Sequence, residues 1–246
     1  MIASKKSNLK KTDWEIDFYS RPIIDEDGKK RWELLITSTN NFKDTKNFKW
    51  EKICPASSVN SIWLKDALLE AIDEAYSKGW DKPSVIRCWR SSMKTMIKRA
   101  ANQIDIELIS SRRTYSLLEW LNDRERNFYP LQKGYIGVNL APPSSPITNQ
   151  AIPLPEEVRG ESWSFASLSL ETLREADEWD IEFSKLIPIK DSIDQNISIP
   201  GIRLFSSKRS LALAAWLGGL EPAKLLIEGT QIILEAGQAD RWLVTD

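Results

Sequence analysis

Residues 14–22 read WEIDFYSRP and residues 31–37 read RWELLIT, and these two segments show how the first half of the chain begins to fold. Apolar and polar residues alternate in the first segment, as in a strand with one buried face. Residues 25–28, DEDG, lie between the two segments and favour a turn, so the sequence predicts a β-hairpin. We expect a third strand at residues 48–54.

Helical and strand-like segments alternate after the hairpin. A helix is predicted from about Ser61 to Lys78, because apolar residues recur there on one helical face and Asn60 suits the N-cap. The remaining predicted elements of this half are a strand at 85–89, a helix from about Ser92, a strand at 106–109 and a helix from its cap Thr114 to about residue 127. The order of three strands, helix, strand, helix, strand and helix is that of ribonuclease-H-like domains. We therefore expect an α/β fold with a mixed N-terminal sheet.

Proline marks the boundary between two halves. Six of the twelve prolines fall between Pro130 and Pro155, in a stretch with almost no charge. The predicted organisation is a basic flexible stub at 1–12, an N-terminal α/β domain at 13–129, a Pro-rich linker or long loop at 130–156 and a C-terminal α/β domain at 157–246. The net charge is +5 for residues 1–128 and −6 for residues 129–246, so we expect the halves to face different partners or each other.

The second half also mixes strands with helices. Its predicted strands are at 163–168, 202–205, 224–228, 232–235 and 242–245. Its predicted helices are at 170–180, with Ser169 as the cap, and at 208–217, stopped by Gly218 and Gly219. The sequence therefore predicts a second unit of the same fold class.

The composition excludes several classes of site. The chain has no histidine and only two cysteines, Cys54 and Cys88, so it lacks a Cys/His zinc site and a histidine-activated nucleophile. We expect the cysteines to be buried thiols. Neither G-x-x-x-x-G-K-[ST] nor G-x-G-x-x-G occurs, and we predict no cofactor and no metal. No apolar run approaches the roughly 20 residues that cross a bilayer and the start lacks a secretion signal, so we expect a cytoplasmic protein without membrane insertion.

The predicted fold raises one enzymatic alternative. Ribonuclease-H-like nucleases hold two metal ions with carboxylates from the first strand, the first helix, the fourth strand and a late helix. The candidate carboxylates here are Asp17 on the first strand, Asp66 or Glu70 on the first helix, and Glu119 or Asp123 on the third helix. The fourth strand offers Arg87 and Arg90 instead, and a guanidinium there repels Mg²⁺. We predict a protein that is not an enzyme, with a nuclease using Asp17, Glu70 and Asp123 as the alternative.

Positive charge is concentrated between residues 87 and 99. The cations of this stretch are Arg87, Arg90, Lys94, Lys98 and Arg99, with no acid among them. Lys94 and Lys98 are four residues apart and share one helical face, on which RNA phosphates can bind. Arg112 and Arg113 precede a predicted helix N-terminus, which also favours anions, and Tyr115 can stack a base. The alternative is a solvated helix face with structural ion pairs, and the cluster alone leaves both open.

Eleven tryptophans are unusually many for 246 residues. Five of them lie in amphipathic elements and are expected in the core, namely Trp32, Trp63, Trp120, Trp179 and Trp216. Trp14, Phe18 and Tyr19 on the first strand are the better candidates for base stacking. Arg21 adds a cation beside them, so we include it among the RNA-binding residues.

Long runs of the sequence resemble the Tab/Atab family. They are WEIDFYSRP at 14–22, DGKKRWELL at 27–35, EKICPASSVNSIWLKDAL at 51–68, MKTMI at 93–97, SSRRTYSLLEWLNDRERNFYP at 110–130, PLPEEVRGESW at 153–163, IPGIRLFSSKRSLALAAWLGGLEPAKL at 199–225 and ILEAGQADRWL at 233–243. The resemblance implies an RNA-binding factor with a preference for A/U-rich single-stranded messenger RNA leaders. It further implies a role in translation of photosystem I subunits, and so in photosystem biogenesis.

The resemblance also bears on location and partners. Plant and algal members of the family enter chloroplasts, whereas we expect no import peptide here, so that this chain looks like a cyanobacterial member. The ribosome or translation machinery is an expected second partner besides RNA. The family brings no catalytic residues, and its motifs at Phe18–Pro22, Arg112–Tyr115 and Arg203–Arg209 rank positions for testing. A third hypothesis stays open, in which the acidic second half is a scaffold that docks a ribosomal or assembly partner.

Overall fold

The structure is a computed structural model that describes residues 9–10, 12–39, 47–137, 150–175, 194, 196–218, 220, 223–237 and 240–244. The chain forms two compact units that divide between residues 145 and 146, inside the stretch predicted as a linker. Most of the predicted basic stub lies outside the described residues. Lys10 is described, and its ammonium lies 5.1 Å from the ring centre of Trp80.

A mixed five-stranded sheet forms the centre of the first unit. Its strands are β1 (Trp14–Ile24), β2 (Lys30–Ser38), β3 (Lys49–Cys54), β4 (Val85–Cys88) and β5 (Glu107–Ser110). They lie in the order β3-β2-β1-β4-β5, with β1, β4 and β5 parallel and β2 antiparallel to both of its neighbours. The predicted hairpin, the mixed sheet and the ribonuclease-H-like order of elements are confirmed.

The turn between β1 and β2 lies at the DEDG sequence, as predicted. Gly28 has a φ of +76°, a conformation that glycine adopts without steric cost, and its N–H donates to the carbonyl of Asp25. The resulting register places Ile16 opposite Ile36 and Asp17 opposite Leu35. Because successive side chains of a strand point to opposite faces, Ile16 and Asp17 lie on different faces of the sheet.

Two helices, α1 (Ser61–Ser77) and α2 (Lys94–Asn102), cover one face of this sheet. Asn60 Oδ1 accepts hydrogen bonds from the N–H groups of Ile62 and Trp63 at 3.0 and 2.9 Å, so the predicted N-cap is confirmed. The layer between sheet and helices is apolar and includes Trp14, Ile16, Phe18, Leu34, Ile36, Leu64, Leu68 and Ile97. This layer is the main core of the unit.

A third helix, α3 (Tyr115–Asp123), covers the opposite face. The smaller apolar cluster there consists of Ile23, Leu35, Leu117, Leu121 and Tyr129. Regular α-helix ends a few residues before the predicted end, because the chain continues as a π turn at Arg124–Phe128 and a 3₁₀ turn at Tyr129–Leu131. These turns bring the side chains of Arg124 and Tyr129 into the buried layer.

Hydrogen bonds extend both units into the predicted linker. The N–H of Ile24 donates to the carbonyl of Gly134 at 2.8 Å, and the N–H of Ile136 donates to the carbonyl of Pro22 at 3.0 Å. At the other end, β6 (Ile152–Pro153) belongs to a sheet of the second unit. Residues 138–149 lie outside the described residues, so the predicted boundaries of the linker stay a prediction.

The second unit contains a four-stranded sheet and a separate two-stranded sheet. After β6 its elements are β7 (Ser162–Ser169), α4 (Leu170–Arg174), β8 (Ser198–Phe205), α5 (Ser210–Gly218), β9 (Ala223–Glu228), β10 (Gln231–Ala236) and β11 (Asp240–Leu243). The larger sheet has the order β6-β11-β10-β9, and β7 pairs antiparallel with β8. The predicted second α/β unit is confirmed, although the later part of the helix predicted at 170–180 lies outside the described residues.

Both cysteines are buried free thiols, as predicted. Burial raises the pKa of the Cys54 thiol to about 11 and that of the Cys88 thiol to about 12. Neither is therefore a reactive thiolate near neutral pH. Among the helices that the structure describes, none combines the length and the apolar composition needed to cross a bilayer.

Candidate nucleic-acid interface

Asp17 is at the centre of a network of buried charges on the α3 face of the sheet. Arg21 Nη1 donates to Asp17 Oδ2 at 2.8 Å, and Arg90 Nε donates to Asp17 Oδ1 at 2.6 Å. Arg21 Nε also donates to Glu33 Oε2 at 3.1 Å. Burial alone would lower the pKa of Arg21, but the charges of Asp17, Tyr129 and Glu33 outweigh burial and keep this pKa above its ordinary value. The buried charges thus compensate one another, as burial requires.

Arg124 extends this network through Glu33. Arg124 Nη2 donates to the two oxygens of Glu33 at 3.2 and 3.3 Å, and Arg124 Nε donates to the hydroxyl of Tyr129 at 3.1 Å. The Tyr129 hydroxyl donates in turn to Glu33 Oε2 at 2.8 Å. Arg124 also forms an ion pair with Glu51, and its guanidinium lies 4.1 Å from the ring centre of Phe128. The π turn after α3 is therefore held to β2 and β3 by charge.

Arg90 connects the network to aromatic rings. Its guanidinium carbon lies 4.0 Å from the ring centre of Tyr19 and 3.9 Å from that of Trp89, both within cation–π distance. Only 8% of Arg90 and 1% of Arg21 are exposed. These two predicted RNA-binding arginines are internal partners of Asp17 in this fold.

Glu15 on β1 caps the N-terminus of α3. Its Oε2 accepts a hydrogen bond from the N–H of Leu117 at 2.8 Å, which satisfies one of the first-turn donors that have no partner inside a helix. Within the described residues, the side chain of the predicted cap Thr114 makes no capping hydrogen bond. Burial raises the pKa of Glu15 to about 7, although the hydrogen bond from Leu117 and the charges of Arg113 and Arg87 act to lower it.

Arg87 and Arg113 are also buried, with 5% of each exposed. Arg87 forms an ion pair with Asp13, at the start of β1. The charge of Arg113 acts on the carboxylate of Glu15. Four of the predicted RNA-binding arginines thus lie inside the fold beside acids, which is the structural alternative that the sequence left open for the charge cluster.

The predicted stacking residues of β1 mostly belong to the core. Phe18 is fully buried and stacks on Trp63 with ring centres 5.5 Å apart. Trp14 is fully buried as well and stacks on Phe48 at 5.4 Å. Neither ring offers a surface to a base in this fold, whereas Tyr19 is half-buried and keeps part of its ring accessible.

Three of the tryptophans predicted to lie in the core pack against the apolar clusters of the first unit. Trp32 and Trp63 are half-buried against the main core, and Trp120 is half-buried against the cluster beneath α3. In the second unit Trp216 lies 5.5 Å from Trp242, ring centre to ring centre. Trp179 lies outside the described residues.

The outer face of α2 carries positive charge. Lys94, Lys98 and Arg99 are exposed, while Ile97 and Ala100 point into the core. In the part of the chain that the structure describes, none of these three cations has a hydrogen-bond or ion-pair partner. The shared face that the spacing of Lys94 and Lys98 predicted is therefore present and accessible.

Arg112 and Tyr115 lie at the edge of the sheet from which α2 also starts. Cys88 at the end of β4 is opposite Ser110 at the end of the parallel strand β5, so the loops that follow these strands leave the sheet at the same edge. Arg112 is half-exposed, and 38% of Tyr115 is exposed. We call the five accessible predicted residues of α2 and of the segment after β5 the basic surface, which comprises Lys94, Lys98, Arg99, Arg112 and Tyr115.

The carboxylates of the nuclease alternative are engaged elsewhere in this structure. Both oxygens of Asp17 accept hydrogen bonds from arginines. Glu70 forms an ion pair with Lys52 at 2.6 Å, and Asp123 accepts a hydrogen bond from the side chain of Asn127 at 2.7 Å. Among the described residues, no group of three or more histidine, cysteine or acidic side chains is arranged to hold a metal ion.

Sequence reasoning missed the acids and the tyrosine that complete the buried network. They are Asp13, Glu15, Glu33 and Tyr129, together with Arg124. Strand alternation carries part of the signal, because Glu15, Asp17 and Glu33 occupy the positions that face away from α1 and α2. Arg124 and Tyr129 had no such signal, since they lie in a π turn and a 3₁₀ turn.

Two family models match the chain, one to each half. The model described as "RNA-binding protein Tab2/Atab2 N terminal" matches residues 13–124, and the model described as "RNA-binding protein Tab2/Atab2, C-terminal domain" matches residues 141–246. The chain belongs to the Tab2/Atab2 family. The resemblance seen in the sequence is confirmed, and the first matched range contains the whole basic surface.

Curated relatives of the Tab2/Atab2 family are similar over most of this chain. "Protein TAB2 homolog, chloroplastic" of Arabidopsis thaliana is 34% identical over 241 residues, covering 94% of this chain and 61% of the relative. The protein of the same name from Zea mays is 32% identical over 246 residues, covering 94% of this chain and 59% of the relative. This chain thus spans about three fifths of the length of these relatives.

A likeness to a solved structure is much weaker. A simian T-cell lymphotropic virus intasome in complex with a phosphatase regulatory subunit aligns at 12% identity over 96% of this chain and 79% of the other. The TM-score of that alignment is 0.27. This score is too low to support any statement about fold or function.

Proposed function

We propose that this member of the Tab2/Atab2 family is an RNA-binding protein that grips RNA phosphates with the basic surface of its first unit. The observation that carries the proposal is the outer face of α2, where Lys94, Lys98 and Arg99 are exposed and have no partner among the described residues. A run of cations without acids is the electrostatic signature of a phosphate-binding surface. The description of the family as RNA-binding supports the same reading.

The geometry of the basic surface suits a flexible single strand. Lys94 and Lys98 are one helical turn apart, with Cβ atoms on the order of 6 Å from each other, so they can hold neighbouring phosphates of one strand. Tyr115 offers an exposed ring beside Arg112, and bases that are free of a duplex stack on such rings. We therefore expect preference for single-stranded over double-stranded RNA.

The buried arginines support this surface indirectly. Arg90 is bound to Asp17 and directly precedes the turn Ser91–Met93 from which α2 starts. Glu15 binds the first turn of α3, which follows Arg112 and Arg113 in the chain. The buried network thus positions both segments that carry the basic surface.

We infer that the protein acts without catalysis. Asp17 occupies the first-strand position at which the nuclease alternative needs a metal-binding carboxylate, yet it accepts from Arg21 and Arg90. A divalent cation would have to displace a buried guanidinium, which leaves an uncompensated buried charge and is strongly unfavourable. The fold is therefore expected to serve binding.

We further propose that the RNA is an A/U-rich messenger leader, and that binding promotes translation of photosystem I subunits in the cytoplasm of a cyanobacterial-type cell. The ribosome or translation machinery is then the second partner. This part of the proposal rests on the family rather than on a contact in the structure. The RNA that crosslinks to the protein in cells would identify the message.

Binding should be measured by fluorescence anisotropy with an A/U-rich single strand, a G/C-rich single strand and a duplex of the same length. We expect the A/U-rich strand to bind most tightly, and its affinity to fall steeply between about 50 and 200 mM salt. Plotted against the logarithm of the salt concentration, the logarithm of the binding constant should fall with a slope of about 0.7 for each phosphate contact. An affinity that does not change with salt, or tighter binding of the duplex, would argue against the proposal.

The nuclease alternative needs its own assay. Labelled RNA incubated with the protein and Mg²⁺ should keep its length on a denaturing gel. Cleavage that disappears in Asp17→Asn would revive the nuclease alternative and contradict the inferred lack of catalysis.

A further inference from the structure

The outer face of α1 carries three large apolar side chains. Ile62, Leu69 and Tyr76 are 65%, 42% and 43% exposed, and each is seven residues from the next. Seven residues are close to two helical turns, so the three side chains form a single stripe. The stripe is about 21 Å long at a rise of 1.5 Å per residue. Apolar side chains spaced along one face of a helix in this way can anchor a partner helix.

Two aspartates alternate with the apolar side chains of this stripe. Asp66 and Asp73 are both exposed, and each follows an apolar member by four residues, so they lie on the same side of α1. Asp66 contacts its neighbour Lys65 at 3.1 Å, whereas Asp73 has no partner within the described part of the chain. In a heptad repeat, Ile62, Leu69 and Tyr76 therefore occupy one of the two core positions, and Asp66 and Asp73 occupy the other. Charged residues at such positions select the partner.

Further acids follow one side of the stripe. Glu70 pairs with Lys52 at 2.6 Å, and Glu74 pairs with Lys78 at 2.9 Å. These pairs are exposed and therefore weak, so that cations of a partner can replace the lysines. A partner that fits this face would present both apolar and positively charged side chains along the side that it docks.

We propose that α1 is a docking surface for a basic amphipathic helix of another protein. The apolar side of that helix would cover Ile62, Leu69 and Tyr76, and its lysine or arginine residues would meet Asp66 and Asp73. Docking of an amphipathic helix by anchors spaced along one face is a common mode of recognition. The surface is distinct from the one proposed to bind RNA.

The charges argue against other occupants of α1. RNA phosphates would be repelled by the acids of the stripe. A second copy packed on the same face would bring Asp66 and Asp73 of both chains into one contact, whereas a basic helix adds cations to it. A basic helix instead meets these aspartates with opposite charge.

The neighbouring helix α2 shows the contrast. Its exposed residues include no large apolar side chain and are Lys94, Thr95, Lys98, Arg99 and Asn102. The two helices of one layer therefore present surfaces of opposite chemistry, and the protein can bind a polyanion and a basic helix at the same time.

Two synthetic helical peptides of three heptads test the proposal with the full chain. Both carry the same leucine pattern, but one has lysines beside the leucines and the other has glutamates. We expect the lysine peptide to bind at least tenfold more tightly in a titration followed by the anisotropy of a label on the peptide. Equal binding of both peptides would overturn the proposal.

Variants of the stripe sharpen the test. Leu69→Ser and Tyr76→Ser should each weaken binding of the lysine peptide about tenfold, because hot-spot side chains carry most of the affinity of such contacts. The matched control is Leu131→Ser, which removes an apolar side chain that is 82% exposed elsewhere in the same unit and should leave binding unchanged. Unchanged thermal unfolding of each variant shows that the fold is intact.

A charge reversal on α1 tests the sign of the partner's charge, and its result does not depend on a change in stability. The double variant Asp66→Lys with Asp73→Lys should prefer the glutamate peptide. An unchanged preference for the lysine peptide would contradict the proposal. Sedimentation gives a second test: if wild type is a dimer and Leu69→Ser is a monomer, the surface binds a second copy of the chain and the proposal is wrong. RNA affinity should be the same in Leu69→Ser and wild type, so this test and the test of RNA binding can fail separately.

Discussion

The two faces of the five-stranded sheet differ in chemistry although the same strands build them. The face beneath α1 and α2 is apolar from Trp14 to Ile106. The face beneath α3 has only a small apolar cluster and otherwise holds charges that compensate one another, with Asp17, Arg21 and Glu33 at its centre. The first face is stabilised by burial of apolar surface, and the second by ion pairs and hydrogen bonds.

This difference separates the buried cations of the first unit from those that a ligand can contact. Arg21, Arg90 and Arg124 carry the same charge as Lys94 and Lys98, but they are buried. Each of the three arginines forms an ion pair with a buried acid on the α3 face of the sheet. Of the predicted RNA-binding cations, Lys94, Lys98 and Arg99 on the outer face of α2 are exposed to a ligand. Variants on the charged face should therefore change stability first, and variants on α2 should change binding first.

The largest expected effect is that of Arg21→Met. It removes the partner shared by Asp17 and Glu33, and breaking a buried ion pair in this way typically costs about 3–5 kcal/mol. Arg21→Lys keeps the charge but not the planar fork and should cost less. Chemical denaturation measures both values, and a loss below about 1 kcal/mol for Arg21→Met would show that the network contributes little.

On the apolar face of the sheet, the variant to compare with Arg21→Met is Leu68→Ala. Leu68 is fully buried between sheet and helix, and truncation of such a residue costs about 2–5 kcal/mol through lost burial and the cavity it leaves. Raised salt should leave this loss unchanged. If salt changes the losses of Leu68→Ala and Arg21→Met equally, the two faces do not differ in the way we describe.

The next effect concerns pH and Glu15. Its pKa is raised by burial from the ordinary value of 4.5 to about 7 in the folded state, so the folded state binds its proton more tightly than the unfolded state. The free energy of unfolding that this group contributes is then fully present below pH 4.5 and decreases as the pH rises to about 7. Over that window the decrease is on the order of 3 kcal/mol.

Glu15→Gln removes this titration while an amide oxygen can still accept from Leu117. The unfolding free energy of wild type minus that of Glu15→Gln should therefore decrease as the pH rises from 4.5 to about 7. Denaturant titrations at several pH values measure this. A difference that rises with pH would mean that the charges of Arg87 and Arg113 outweigh burial.

A smaller loss is expected for Tyr129→Phe. The hydroxyl of Tyr129 donates to Glu33 and accepts from Arg124, and its removal leaves buried groups with one hydrogen bond fewer. The expected cost is about 1–3 kcal/mol. Phe128→Leu removes the ring that the Arg124 guanidinium contacts but keeps the hydroxyl of Tyr129. Chemical denaturation of both variants therefore separates the loss of hydrogen bonds from the loss of packing.

The smallest stability effect should come from α2. Replacing Lys94, Lys98 or Arg99 by alanine should change the unfolding free energy by no more than about 0.5 kcal/mol each, because the side chains are exposed and unpaired among the described residues. A loss of several kcal/mol at any of the three would assign them a structural role and remove them from the proposed RNA surface.

Much of the fold was predictable from local patterns. The DEDG turn, the Asn60 cap and the periodicity of α1 correctly predicted the hairpin and the first helix. The partner of Arg90 was not predictable in the same way, because Asp17 lies 73 positions from Arg90 in the chain. The capping of α3 by Glu15 likewise joins residues 102 positions apart. Periodicity reports which face a residue occupies, but it carries no information on which strand lies beside it.

The same limit applied to the candidate site. A cluster of cations in the sequence contains no sign of burial, so Arg87 and Lys94 looked alike until the sheet order placed Arg87 beside Asp13. The exposure of Phe18 and Tyr19 was equally ambiguous. Adjacent strand residues point to opposite faces of the sheet, and the sequence did not show which of the two side chains would be fully buried.

The central claim is that exposed cations on α2, rather than total positive charge, bind RNA. It is tested most directly by the RNA affinity of the triple variant Lys94→Glu, Lys98→Glu and Arg99→Glu. The control is the triple variant Lys29→Glu, Lys30→Glu and Lys133→Glu, which makes the same change in net charge at exposed positions of the same unit. The account predicts a loss of about a hundredfold or more for the α2 variant and of less than about threefold for the control. Equal losses in the two variants, or wild-type affinity of the α2 variant, would contradict it.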